Sequence, residues 1–393
     1  MNKIKPSYLL LLPLLFACQT TQAPLPTEVS SGKQLYLDSS FIASEPYVIE
    51  TEEDIFSLDD AMLEVVNTKL KNDKHIKARS QILLDHIFNK ENIALSYDGN
   101  ANVTARQAFH SGSANCLSLT IMAYALAVEA GMNVSFQQIN VPEYWVRNGQ
   151  YNQLTGHINL LVEENVDVTR QVIWGLGALQ IDFDPSAAKK SFSKKVIDKN
   201  TVLAMFYNNK GANAMVNNNY PLAYQYFKQA TLQDNSFSAT WGNLGILYRL
   251  NGYKTEAEKV YRHAISLDNN NLNALSNLAL LLYSQERNFE AVEIEQYIKK
   301  IRNKNPYYHA VLADEAFYNG NFKVAEQHYK DAIELDKNEH EFYFGLAKIY
   351  YMQNKLMSAK KSMRMAILLN KSDDIDEQYI AKLNVLKRAK VTY

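Results

Sequence analysis

Glycine and proline are scarce in this chain, at 14 and 9 of 393 residues, which fits folded, helix-rich material with few long loops. Charge of one sign is missing as well. Lysine and arginine total 41 against 42 acidic residues, so there is no polyanion-binding bias and nucleic acid is not an expected partner. Cysteine is limited to Cys18 and Cys116. The phosphate-loop, Gly-rich dinucleotide and metal-binding motifs are all absent. His75, His86, His263, His309, His328 and His340 are scattered over helical stretches without metal-ligand spacing, so neither a metal nor a cofactor is expected. What the chain has in abundance is aromatic surface, with 25 Tyr and 16 Phe, and enough length to bury two cores.

The N-terminus carries Lys3 and Lys5, then an apolar run from Tyr8 to Phe16, then Ala17 and Cys18, the three-part layout of a secretory signal. Nine apolar residues are too few to span a bilayer as a helix. Leu15-Phe16-Ala17-Cys18 resembles the bacterial lipoprotein lipobox. The resemblance implies that residues 1–17 are a signal peptide and that Cys18 becomes the lipid-modified N-terminus; a plain signal with an incidental Cys is the alternative. Gln19 stands where Asp would retain the protein at the inner membrane, so the implied address is the outer membrane, facing the periplasm, in a Gram-negative host. Two or more acyl chains give stable anchoring. Residues 18–33, rich in Thr, Pro and Ser, read as a tether. With Cys18 consumed, Cys116 is the only thiol of the mature chain. An intramolecular disulfide is then impossible, and a lone exported thiol invites either a functional role or the ordinary one of an inert buried Cys.

Residues 204–373 align on a 34-residue period as five segments, 204–237, 238–271, 272–305, 306–339 and 340–373. The eighth position holds Gly211, Gly245, Ala279, Ala313 and Ala347; the twentieth holds Ala223, Ala257, Ala291, Ala325 and Ala359. At the twenty-fourth stand Phe227, Tyr261, Glu295, Tyr329 and Met363, and at the twenty-seventh Ala230, Ala264, Ile298, Ala332 and Ala366. Small residues let two antiparallel helices approach closely, and the large one fills the gap to the neighbouring unit. The pattern resembles the tetratricopeptide repeat family, an all-α solenoid that binds proteins or peptides. Glu295 and Ile298 make the third repeat the weakest match. Residues 374–393 are read as a capping helix and tail, with apolar spacing at Ile380, Leu383 and Leu386. Tyr307, Phe317, Tyr318, Phe344 and Tyr351 are the expected partner-binding residues of the last two first helices, where rigid aromatics offer large contact area at low entropy cost. The plainer alternative is that several of them pack into the solenoid core.

Residues 34–200 lack the repeat. Helical spacing at 57–70, 75–89 and 116–130, with Asn115 and Ser113 as caps and Gly131 as stop, gives way to strand-like runs at 134–141, 156–162, 171–174 and 179–183. Helices followed by a run of strands argue for α+β with an antiparallel sheet. Cys116 opens a helix, whose unpaired N–H groups and positive dipole end favour a thiolate and can donate to an oxyanion. His157 lies on a strand, where an imidazole can take a thiol proton and return it to a leaving group.

GSANCLSLT around Cys116, GHINLLV around His157 and QIDFDP around Asp182 resemble the transglutaminase-like superfamily of thiol enzymes over about residues 55–190. The resemblance implies Cys116 as nucleophile, His157 as general base and Asp182 as the orienting acid. Asp184 is the alternate for that last role because it precedes Pro185; alternation puts both carboxylates on one sheet face. His110 is a competing base or a loop residue, and Gln137, Gln138 and Trp145 border the groove or satisfy the sheet. Two functions follow from different classes. One is a cysteine peptidase, amidase or acyltransferase whose repeats present a protein substrate. The other is a non-catalytic repeat adaptor with an inactive transglutaminase-like domain.

Overall fold

The computed structural model describes residues 32–43, 45–72, 75–88, 96–99, 101–140, 145–148, 151–154, 157–163, 179–181, 193–370 and 379–384. Cys18, the signal and most of the tether, the strand expected at 171–174, and both Asp182 and Asp184 lie outside them.

The front domain starts with α1 (Glu52–Phe56), opened by a capping box between Thr51 and Asp54, and α2 (Asp60–Val65), where Asp59 accepts from the Met62 N–H. The helix expected from Ser57 starts three residues later, at Asp60, because Ser57 is extended and Asp59 is the cap, and α1 before it was not among the helices expected from the sequence. After a π-helical turn at Val66–Leu70 come α3 (Ile76–Phe88), β1 (Ser96–Tyr97), α4 (Ala105–Ser111), β2 (Ser113–Ala114) and α5 (Cys116–Glu129). Leu117, Leu119, Ile121, Met122, Ala123 and Leu126 of α5 are all buried, so this helix is apolar all round and sits at the centre of the domain. It ends at Gly131, whose φ of +72° is the left-handed value that stops helices.

Strands β3 (Asn133–Ile139), β4 (Trp145–Asn148), β5 (Tyr151–Leu154), β6 (His157–Glu163), β7 (Leu179–Ile181) and β8 (Lys194–Ile197) follow. Four of them form an antiparallel sheet in the order β7-β6-β3-β8, and β4 and β5 pair as a hairpin. Phe136, Ile158, Leu160, Val162 and Ile181 join α5 in one buried cluster. Tyr124 of α5 stacks on Phe136 with centroids 4.2 Å apart. The described part of the domain is therefore helices packed on an antiparallel sheet.

Between residues 199 and 369 ten helices form five antiparallel pairs: α6 (Lys199–Val216) with α7 (Tyr220–Gln233), α8 (Ser238–Leu250) with α9 (Lys254–Leu267), α10 (Leu272–Tyr283) with α11 (Asn288–Arg302), α12 (Pro306–Tyr318) with α13 (Phe322–Leu335), and α14 (His340–Met352) with α15 (Leu356–Leu369). The first helices of pairs two to five begin where the 34-residue register puts them. α6 begins five residues before the first repeat does, because its N-terminal half, from Val202 to Tyr207, belongs to the core of the front domain. One helix thus serves both units. Tyr379 and Leu383, in the helical turns 379–384, are buried against Ala347 and Met363 and close the last repeat.

The small positions behave as close-approach sites. A Cβ added at Gly245 would come within 2.5 Å of the Tyr261 ring, and one at Gly211 within 2.7 Å of Phe227. In the fourth repeat Ala313 fills that slot, and the Tyr329 ring instead crowds Gly345 of the next repeat, at 2.1 Å from a Cβ there. Each large ring therefore needs one glycine, in its own unit or the next. The consequence is a sign difference within α8. Gly242→Ala meets only ordinary contacts at 3.7 Å and should gain up to about 1 kcal/mol from helix propensity. Gly245→Ala should instead lose about 1–3 kcal/mol by overpacking against the fully buried Tyr261. Urea melts of the two variants beside the parent chain check both signs.

The weak third repeat closes by a different device. Glu295 turns to solvent and accepts from the Tyr283 hydroxyl at 2.7 Å, while Ile294 and Ile298 take over the buried face. The apolar cluster that runs through repeats one to three ends with this helix, and a separate one begins at Tyr307. The apolar core is interrupted between repeats three and four.

The region expected to be the end of the tether and the start of the front domain takes a different place. Gly32–Phe41 lies across repeats one and two as a strap, with Leu35 and Phe41 inside the repeat cluster. Tyr36 stacks on Trp241, and Phe41 stacks on Tyr224 and Tyr248. The Leu37 N–H donates to the Tyr224 hydroxyl, and the Tyr248 hydroxyl donates to the Leu35 carbonyl. Leu35, Tyr36, Leu37 and Phe41 of this otherwise polar decapeptide find their burial here because the repeats supply matching rings.

Candidate active site and partner surface

Cys116 is half-buried at the first position of α5. Asn115 is extended and buried, and its side chain accepts from the Ser118 N–H at 2.9 Å, which fixes where the helix begins. Ser118 in turn accepts from the Val103 N–H at 2.8 Å, locking the loop that leads into α4 against the same turn. The Thr120 hydroxyl lies 2.8 Å from the Cys116 carbonyl and 3.4 Å from that of Ile158. A single hydroxyl thus links the turn carrying the thiol to the residue after His157. His157 is 5% exposed and pairs with Ile139 across the sheet. Asn159, two residues on, is fully buried opposite Gln137, so β6 is closed on both faces.

The other candidates separate. His110 is engaged elsewhere: its Nε2 lies 2.6 Å from a carboxylate oxygen of Asp59, the cap of α2. Desolvation pushes the Asp59 carboxyl up, but His110 and the Met62 N–H outweigh it and hold the group below the ordinary carboxylate value. Gln137 is buried and its Oε1 accepts no hydrogen bond among the described residues, whereas Gln138 is half-buried. Trp145 stands in β4.

Front domain and repeats are locked together at Glu50. Its carboxylate pairs with Lys210 at 2.9 Å and accepts from the Tyr226 hydroxyl, and its carbonyl accepts from Tyr207. Burial opposes the charge on Glu50, yet Lys210 and these hydrogen bonds keep its carboxyl below the ordinary value. Burial and the same carboxylate push the Tyr207 phenol up to about 12. An open pocket of about 550 Å³ lies between the strap and α7, lined by Asp38, Phe41, Tyr224 and Lys228.

Of the five aromatics expected on the partner face, Tyr307 must be reassigned. It is 8% exposed, and its hydroxyl donates to buried Glu339 at 2.9 Å, so it is a core residue of the fourth repeat. The register places it at the second position of its helix, and there it packs edge-on against Phe342 of the next repeat. Phe317 and Phe344 are half-buried, with the Lys348 ammonium between them at 5.4 and 5.7 Å from the ring centres. Phe344 also stacks on Tyr379 under the Lys382 ammonium. Tyr318, at 81%, and Tyr351, at 48%, are exposed. Two residues that matter here were not singled out in the sequence: Lys348, whose ammonium lies over the Phe317 and Phe344 rings and is also paired with Asp314 at 3.7 Å, and Lys382 over Phe344.

Residues 238–271 and 311–364 match the tetratricopeptide repeat family. Superkiller protein 3 of Schizosaccharomyces pombe is 23% identical over 170 residues, which are 41% of this chain and 12% of that one. The protein ycf37 of Cyanophora paradoxa, itself uncharacterized, is 31% identical over 99 residues, 24% of this chain and 58% of its own length. Among solved structures, that of Pseudomonas aeruginosa pilF covers 49% of this chain and 93% of its own at 16% identity, with a TM-score of 0.26. The C-terminal part of the chain is a tetratricopeptide-repeat solenoid, and such repeats suggest protein–protein interaction. No helix among the described residues is long and apolar enough to cross a membrane.

Proposed function

We propose that the chain is an envelope lipoprotein, anchored through lipid on Cys18, in which a transglutaminase-like thiol domain acts on an amide bond of a protein or peptide held by the repeats. The observation that carries this reading is the half-buried Cys116 at the capped start of the central helix, with its first turn joined through Thr120 to the start of the strand that bears His157. In this reading the Cys116 sulfur forms a bond to the amide carbon as its proton passes to His157. The N–H groups of the first turn of α5 donate to the oxyanion. Collapse of the tetrahedral adduct breaks the C–N bond, and His157 returns the proton to the departing amine. Water or a second amine then resolves the thioester. Asp182, with Asp184 as the alternate, orients the imidazole. The shared helix α6 and the Glu50 lock support a single working body in which a bound partner stays near the thiol.

The partner chemistry is read from the last two repeats. Exposed Tyr318 and Tyr351, with half-buried Phe317 and Phe344, suit an extended peptide with apolar side chains. Capture with the Cys116→Ala chain tests the whole reading. That variant should retain a protein which the parent chain releases in processed form. Retention of the same unprocessed protein by both chains would leave an adaptor and no enzyme.

A further inference from the structure

Three groups that can ligate a metal meet between the two helices of repeat four, near its entry from repeat three. His309 lies in the first turn of α12, while His328 and Asp331, three residues apart, share one face of α13. His309 Nδ1 is 3.5 Å from His328 Nδ1 and 3.8 Å from Asp331 Oδ2, and the third side of the triangle, His328 Nδ1 to Asp331 Oδ2, is 3.9 Å. All three ligand atoms lie within 4.8 Å of one another. The far sides of two of these groups are held. His309 Nε2 is 3.0 Å from the Asn303 carbonyl, which only an N–H can satisfy, so in the neutral ring the Nδ1 lone pair faces the other two groups. Asp331 Oδ1 accepts from the Gln327 amide at 2.8 Å, which leaves Oδ2 directed at the imidazoles. Partners of this kind fix ring orientation and tautomer at metal sites.

The separations discriminate between two explanations. They exceed the roughly 2.7–3.2 Å of a good N–H···N or N–H···O hydrogen bond. They are close to the edge of about 3.3 Å of a tetrahedron whose metal–ligand bonds are about 2.0–2.1 Å long. A contraction of a few tenths of an ångström brings the triangle onto that edge. We propose that His309 Nδ1, His328 Nδ1 and Asp331 Oδ2 bind a divalent transition-metal ion of the zinc class, with the fourth position open to water. Two imidazoles and one carboxylate favour such an ion over calcium or magnesium, which take oxygen ligands. The His309 side chain is 12% exposed and that of His328 27%, so the ion has an entry path yet sits largely enclosed. Its position gives it a task. The ion pins α12 to α13 within repeat four, and through the Asn303 carbonyl on His309 it also steadies the turn that leads in from α11.

Calorimetric titration of the chelator-stripped full chain, prepared without a histidine tag, with zinc chloride tests the assignment. One ion per chain should bind, with a rise in melting temperature that chelator reverses. Cobalt(II) in its place should give the intense visible bands of a four-coordinate site. His328→Ala and Asp331→Asn should each abolish the cobalt bands and the temperature rise while melting like the parent chain in chelator. Gln327→Ala should weaken binding about tenfold, and Cys116→Ala should leave it unchanged. The assignment is overturned if the parent chain gives neither heat nor a melting shift. It is equally overturned if His328→Ala binds as the parent does, or if binding disappears in Cys116→Ala, which would move the ion to the thiol.

Discussion

Trp241→Ala in α8 should lower the stability of the chain by about 3–5 kcal/mol, the usual cost of removing a fully buried large aromatic, and should release the N-terminal strap at the same time. The indole is completely buried. It stacks on Tyr36 at 5.9 Å, meets His263 edge-on at 4.7 Å, and donates from Nε1 to the Asn235 carbonyl at 2.9 Å. A Cβ on Gly32 would come within 2.9 Å of the same ring, so the strap is seated directly on it. His263 is buried with no hydrogen-bond partner on either ring nitrogen among the described residues, and burial depresses its basicity. Opening a cavity beside it admits water to a ring that packs best neutral. Urea unfolding reads the stability loss, and chymotrypsin reads the strap through new cleavage at Tyr36 or Phe41. Phe289→Ala, at a side chain 78% exposed, serves as the control and should change stability by less than about 0.5 kcal/mol. Equal melts for the two variants would remove Trp241 from the centre of the packing scheme.

Cys116→Ala should leave the fold intact and abolish processing of whatever the repeats hold. The side chain is only half-buried and the helix start is set by Asn115 and Ser118, so removing the sulfur disturbs little packing. The chemistry has no substitute. Among the described residues Cys116 is the one cysteine, and acyl transfer through a thioester requires that atom. The expected pattern is loss of turnover by at least about a thousandfold with retained partner binding, since nucleophile removal in triad enzymes costs at least this much. Tyr318→Ala and Tyr351→Ala should do the reverse, weakening capture while leaving the thiol chemically competent. Processing that survives Cys116→Ala would refute the thiol mechanism.

Much of this arrangement was legible in the sequence where local rules coincide with tertiary ones. The helix pairs were readable because close approach of antiparallel helices demands small residues at fixed intervals, and Gly245 against Tyr261 is that demand in atomic form. The start and end of α5 were readable because Asn115 and Gly131 act within a turn of the helix they bound. The strap was not. Leu35, Tyr36 and Phe41 acquire their partners from residues roughly two hundred positions away, such as Thr231, Trp241 and Tyr248, and no local signal distinguishes them from a tether. Tyr307 misled because helix register gives the face a residue occupies on its own helix, and a neighbouring Glu339 decided that it turns inward. The His309, His328 and Asp331 cluster escaped because its ligands come from two helices; the only local trace was the three-residue spacing from His328 to Asp331, which helical geometry puts on one face.

The rate at which iodoacetamide alkylates Cys116 at neutral pH separates an activated thiol from an inert one. The native chain should react at Cys116 faster than the same chain unfolded in urea, despite the partial burial of the side chain, and His157→Ala should bring the native rate down to or below the unfolded one. A native rate equal to or slower than the unfolded rate, and indifferent to His157→Ala, would make Cys116 an inert thiol and leave a repeat protein that only binds.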